Sequence, residues 1–466
     1  MANVRAFGAA GDGQHDDSDA IDHALADGDG LLEFPPGVYR LTRTIVVQTS
    51  RRGPCAISGA FGTARLVMEG PGPALSLLGS HTGSADPADF RPEQWQRERM
   101  PTLANLEIVG AHPQADGVRI EGVMQPTLTG LLVRRARTAI HLVGRARNLL
   151  ISHCHLYHNT GVGVHLDHVN LHQAIIASSH ISYCRLAGIR VECSEIRNLQ
   201  ITGNDIEYNN HRAHQGLPIE ERPAADIDID CRKGTVREGT IVSNTIQATM
   251  SPGGANVRFH GQGPDKPHKT GLWTITGNLI GSQETNLHLT MARGVTVTGN
   301  VFYSGHAQNL LLEDSRNIVF CGNLFDHNPD YEPNELCTGI RLVGSRDCAL
   351  GSFVIQDCQA GRHTVPEAAA RERLGLIELV RCRRVNLSGV QVLDSAPYGI
   401  YLRDCADTLI QGCTILDGRP TTRLQSAILW EGEGSGNLVA NCRLQGEPAR
   451  AVVAPAHVRQ WNNLAG

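Results

Sequence analysis

One short line recurs along this chain with different fillings, and it limits what the chain can fold into more than any other feature. It reads GVHLDHV, GIRVECS, DIDIDCR, NVRFHGQ, NLHLTMA, NLLLEDS, GIRLVGS and GIYLRDC. Most copies are accompanied by a second line: NLQITGNDI, GTIVSNTI, LWTITGNLI, GVTVTGNVF, NIVFCGNLF. Short alternating apolar stretches that return every two or three dozen residues mark a solenoid. No single unit can bury its own apolar face, so successive units must stack. The expected class is all-β, a parallel β-helix, and function then depends on the side chains that the stack aligns on its outside.

Composition agrees. The chain has 466 residues, 50 of them Gly, and only 5% are aromatic, which suits many turns and thin strands. A net charge of −5 gives no basic surplus for a nucleic-acid backbone. No run of 18 apolar residues or signal peptide is evident, so neither membrane nor nucleic acid is expected as a partner. The expected location is cytoplasmic, or secreted with a leader removed. The 13 cysteines form no C-x-x-C pair. Cys154, Cys184, Cys193, Cys231, Cys382, Cys405, Cys413 and Cys442 fall at strand ends or turns, where a free Cys serves as a small apolar residue.

At the N-terminus, Gly11-Asp12-Gly13 forms a turn, and Ser18 is placed to cap a short helix bearing Ala20, Ile21, Ala24 and Leu25. Leu32, Phe34, Val38, Tyr39 and Leu41 then alternate around Pro35-Pro36-Gly37. The segment Gly8 to Asp17, with Ala20, Ile21 and Phe34 to Tyr39, resembles the opening of the pectate-lyase-like superfamily of right-handed parallel β-helices. In that superfamily a GAxGDGxxDDTxAI…PxGxY segment caps the helix. The resemblance implies a right-handed single-stranded β-helix with an N-terminal capping helix, and a carbohydrate-active protein. Asp12, Asp16, Asp17 and Asp19 are then cap residues rather than a site. The expected organisation is a cap and first coil over 1–50, irregular coils with a long excursion over 51–102, and coils bearing the cleft over 103–466.

Asn204, Asn244, Asn278, Asn300 and Asn323 occupy one point of successive coils, which suggests a ladder of buried side chains at a sharp turn. In the superfamily such a ladder lies between the second and third strands, which makes G-I-x-L-x the first strand. Its apolar residues should point inward, as Val164/Leu166, Ile189/Val191 and Ile227/Ile229, with the residues between them pointing outward. The outward series is Arg119, His141, His165, Arg190, Asp228, Arg258, His288, Leu311, Arg341, Glu378, Tyr401 and Leu429. Two residues on come Glu121, Val143, Asp167, Glu192, Asp230, His260, Thr290, Glu313, Val343, Val380, Arg403 and Glu431.

Between His165 and Thr290 nine of these ten outward positions are ionisable. The inserts 207–225 and 247–256 enter the strands bearing Asp228 and Arg258, as walls of a groove would, with His211, His214, Glu220, Glu221 and Arg222 on its rim. Glycoside hydrolysis needs two carboxyl groups, one protonated and one ionised. Asp228, Asp230 and Glu192 are the expected catalytic set. His165, Asp167, Arg190, Arg258, His260 and His288 are expected to hold substrate, with Trp95 as a stacking platform. The alternative for the same stripe is a salt-bridge ladder.

A second outward column, His155, His180 and Asp205, has residue types that bind metal but reads as polar surface, so no metal and no cofactor are expected. Trp430 falls on the inward parity. The polygalacturonase motifs and the pectate-lyase calcium acids have no residue-by-residue match, so the resemblance reaches the fold more firmly than the activity. Three functions compete: a glycoside hydrolase, a lyase or uronate epimerase using Arg190 or Arg258 with His165, His260 or His288, and a tailspike-like glycan binder. The expected partner is a poly- or oligosaccharide. A homo-oligomer would use an apolar outer stripe near Leu311, Val343, Val380 and Leu429.

Overall fold

The computed structural model describes residues 2–83, 87–89, 91–210, 223–263, 270–326, 339–356 and 374–466. The chain is a right-handed parallel β-helix that divides into two compact units, Met1–Thr240 and Ile241–Gly466.

In the first unit each coil carries three short strands. One coil runs from His155–Tyr157 into the long strand Val162–Ala177, and the next from His180–Ser182 through Ala187–Glu192 and Glu195–Thr202. Each strand pairs in parallel with its counterpart one coil on, so that Val164, Ile189 and Ile227 align. Val164, Leu166, Ile189, Val191, Ile227 and Ile229 are fully buried, as alternation requires. Each such side chain stabilises the stack by about 1.5–3 kcal/mol.

Coils begin well before residue 103. The strand Leu31–Phe34 pairs with Ala56–Gly59, and that strand with Thr102–Ala104. The stretch without sequence period contains the helix Pro92–Glu98. Glu98 on this helix is buried, accepting from the Thr49 hydroxyl (2.8 Å) and the Ser80 amide (3.0 Å).

The capping helix spans Ser18–Asp27, but its N-cap position is Asp17 rather than Ser18. Asp17 instead accepts from the amides of Ala10 (2.6 Å) and Gly11, while Ser18 donates to Asp16 (2.6 Å). The N-terminal acids therefore tie the cap together.

Side-chain ladders stitch the turns. Ser179 accepts from the Cys154 amide (3.1 Å), and Asn204 accepts from the Ser179 amide (3.1 Å) and donates to the Ile176 carbonyl (2.9 Å). The residues just before them, His153, Ser178 and Gly203, all have positive φ. Gly adopts that conformation most readily, which explains the Gly-Asn doublets.

The second unit repeats the plan. Asn278, Asn300 and Asn323 bond one another in sequence, with each amide NH2 near 3.0 Å from the next carboxamide oxygen. Val257, Phe259, Leu287 and Leu289 are fully buried, and Trp273 packs edge-on against Phe259 at 4.8 Å. Trp430 is core. The cysteines expected inside are buried, except Cys193, which is half-buried.

Candidate functional site

In the first unit the outward stripe has the expected register. His141 stands beside His165, His165 beside Arg190, and Arg190 beside Asp228. In the companion column Asp167 stands beside Glu192, and Glu192 beside Asp230. Three carboxylates thus occupy consecutive coils, at the spacing of neighbouring strands, about 4.8 Å.

The expected open furrow needs correcting. Asp228 has no accessible surface, and Arg190 and Asp230 are each 7% exposed. An outward-pointing side chain is not necessarily a solvated one, because alternation fixes the face but not what lies over it. Asp228 lies 3.5 Å from Arg190 Nε. Asp230 is gripped by Arg232, whose Nε and Nη2 donate to its two oxygens at 3.0 and 2.6 Å. This carboxylate raises the Arg232 pKa above its ordinary value.

The groups that solvent reaches lie one to three coils earlier. The side chains of His141, His165, Asp167 and Glu192 are 14–25% accessible. His165 Nε2 pairs with Glu192 Oε1 at 2.7 Å, and His141 Nε2 with Asp167 Oδ2 at 3.3 Å. His168 holds the other Asp167 oxygen, at 2.5 Å. The His141 and His165 rings stack at 5.1 Å with 12° between planes. Burial, then the adjacent His165, lowers the His141 pKa. His141, His165 and Asp167 offer three ligand atoms within 4.8 Å of one another, the one such group among the described residues.

The second outward column aligns as expected, His155 with His180 and His180 with Asp205. His180 Nδ1 lies 3.0 Å from Asp205 on an exposed face.

Trp95 is half-buried on the helix Pro92–Glu98. The expected rim residues His211, His214, Glu220, Glu221 and Arg222 lie outside the described residues. Sequence reasoning missed a cavity of about 520 Å³ lined in part by His81, Glu121, Arg145 and Asn170. Burial beside Arg145 and Arg147 pushes His81 down to about 4, and Arg145 itself falls to about 10. Its members come from successive coils, with Arg145 in register with Asn170, but lie past the end of the repeated G-I-x-L-x line.

Arg258, His260 and His288 belong to the second unit. Arg258 is in register with His288, and His260 with Thr290. His288 Nε2 pairs with Glu313 at 2.7 Å, and this contact lowers the Glu313 pKa. Val380, expected on an apolar outer stripe, is only 3% exposed. Among the exposed apolar residues of this unit, Leu279, Leu324 and Val354 form with Val301 one column on successive third strands.

Comparison with known proteins agrees with this fold. Residues 95–259 match the family model of the right-handed β-helix region, and residues 1–53 match that of the rhamnogalacturonase A/epimerase, pectate-lyase-like group. Among solved structures the chain is similar to pre-mature bacteriophage phi29 gene product 12 at 13% identity and a TM-score of 0.57, covering 97% of this chain and 56% of that one. It is also similar to bacteriophage CBA120 tailspike protein 3 at 14% identity and a TM-score of 0.41, covering 99% and 60%. The A-module of the Azotobacter vinelandii mannuronan C-5 epimerase AlgE6 shares 13% identity at a TM-score of 0.34, covering 100% and 99%. The chain thus spans under two thirds of either phage protein. No curated protein sequence matches it.

Proposed function

We propose that this chain, a right-handed parallel β-helix of the pectate-lyase-like superfamily, cleaves glycosidic bonds of a poly- or oligosaccharide by carboxyl acid/base chemistry. The observation that carries the reading is the in-register column Asp167–Glu192–Asp230. Retaining glycosidases place their carboxyl pair about 5–5.5 Å apart, close to the spacing of adjacent coils. Glu192, the solvent-reached member of the Glu192–Asp230 pair, is the proton donor, oriented by His165. Asp230 is the ionised partner, its charge matched by Arg232. Asp228 serves as the buried counter-charge to Arg190 rather than meeting substrate. His165, Asp167 and Arg190 flank the pair, and Trp95 of the same unit supplies a further sugar contact.

A lyase or epimerase is the second reading. The His165–Glu192 pair favours it, because a carboxylate-held imidazole is a suitable base for a proton beside a uronate carboxyl group. The exposed column Leu279–Val301–Leu324–Val354 favours a third, a glycan-binding protein that associates through that face.

Digestion of a panel of neutral and uronate-bearing polysaccharides separates the three. The hydrolase yields new reducing ends without the ultraviolet absorbance of unsaturated uronates. Glu192→Gln lowers turnover about 10²–10⁴-fold with unfolding unchanged. Unsaturated products would establish the lyase, and retention without turnover the binder. Either result ends the hydrolase reading.

A further inference from the structure

The geometry points to a divalent transition-metal site made by His141, His165 and Asp167, on the coils just before the carboxylates assigned to catalysis. Two imidazole nitrogens and one carboxylate oxygen are the donor set of open zinc and related sites. Three features raise this cluster above a polar patch. The donor atoms all fall within 4.8 Å of one another. A zinc ion about 2.1 Å from each donor needs them slightly closer, and small side-chain rotations supply the difference. The second feature is enforced direction: strand register and the 12° ring stack make both imidazoles project from one face, one coil apart. The third is an outer shell. His168 holds Asp167 Oδ1, which leaves Oδ2 turned toward His141. Such partners orient ligands and tune affinity.

Glu192 stands beside the cluster, with Oε1 2.7 Å from His165 Nε2. An ion taking that nitrogen displaces Glu192, leaving its carboxylate next to a three-ligand ion with at least one open position. The inference does not rest on the hydrolase reading, because binding is read without substrate.

The test uses the full chain after chelator dialysis. Titration with Co²⁺ is followed by its visible ligand-field band, and titration with Zn²⁺ by calorimetry. One ion per chain is expected, with affinity falling at least about tenfold in His141→Gln and in Asp167→Asn. His180→Ala and Glu192→Gln should retain binding. Circular dichroism and urea midpoints establish that the variants fold. If a variant does not fold, protection of wild-type His141 and His165 from diethyl pyrocarbonate by Zn²⁺ gives the answer instead. The site is overturned if the wild type shows neither band nor heat, if His141→Gln binds like the wild type, or if Zn²⁺ leaves both imidazoles equally reactive. Loss of cleavage in Glu192→Gln with metal binding intact keeps the two proposals separate.

Discussion

Two histidine columns in the first unit begin from the same ingredients and end as different surfaces. His141 and His165 stack at 5.1 Å, and so do His155 and His180. Each column has an aspartate paired to a histidine, at 3.3 Å for Asp167 and 3.0 Å for Asp205. The second pair lies open to water, with 49% of His180 and 34% of Asp205 accessible. The first is more enclosed, with 19% of His141 and 25% of Asp167 accessible, and its column continues into Arg190 and fully buried Asp228. Composition and stacking are shared, so dielectric and surroundings make the difference. A charge pair in water is worth little, whereas the same pair under cover determines which charges can exist there.

The largest effect that sharpens this contrast comes from removing one aspartate from each column. Asp228→Asn takes a buried carboxylate away from Arg190 and should cost about 3–5 kcal/mol of unfolding free energy. Asp205→Asn should cost under about 1 kcal/mol. Urea titration of both variants checks this, and equal losses would erase the distinction between covered and open columns.

A smaller effect tests whether the open column depends on its turn rather than on its ring stack. Asn204 immediately precedes Asp205, accepts from Ser179 N and donates to Ile176 O. Asn204→Ala leaves both backbone groups without that partner, at a cost of about 1–3 kcal/mol. Hydrogen exchange at the Ser179 amide should accelerate while metal binding at His141 and His165 persists. Parallel loss of both would mean that the columns are mechanically one.

The repeats made the scaffold legible. Alternation in GIRVECS and DIDIDCR placed Ile189, Val191, Ile227 and Ile229 inside and aligned Glu192 with Asp230, because a period of two leaves no other choice. The same logic could not show that Asp228 is covered, since cover over a sheet comes from elsewhere in the chain. It also passed over His141 as a ligand. The position two residues on from His141 is Val143, and the carboxylate that His141 meets is Asp167, on the next coil. His155, His180 and Asp205 held attention because they fall in one column, yet a ligand set here needs groups from both columns of one face. His81 and Arg145 had no repeat to reveal them.

The smallest effect comes from the same strand and asks how finely environment divides like residues. Asp226, Asp228 and Asp230 look alike in DIDID, yet the first accepts from the backbone and side-chain amides of Asn209, at 3.1 and 2.9 Å, while the other two face Arg190 and Arg232. Asp226 is 1% exposed, and burial raises its pKa well above the ordinary carboxylate value. A carboxyl whose folded pKa is raised binds a proton that the unfolded chain has already released. Its contribution to stability is therefore complete below the unfolded value near 3.9, and it is lost progressively as pH rises toward the folded pKa. Asp226→Asn keeps a neutral group against Asn209 and removes that proton linkage. The variant's urea midpoint relative to wild type should thus climb as the pH rises above about 4. A flat difference for Asp226→Asn would show that its carboxylate is already ionised in the fold.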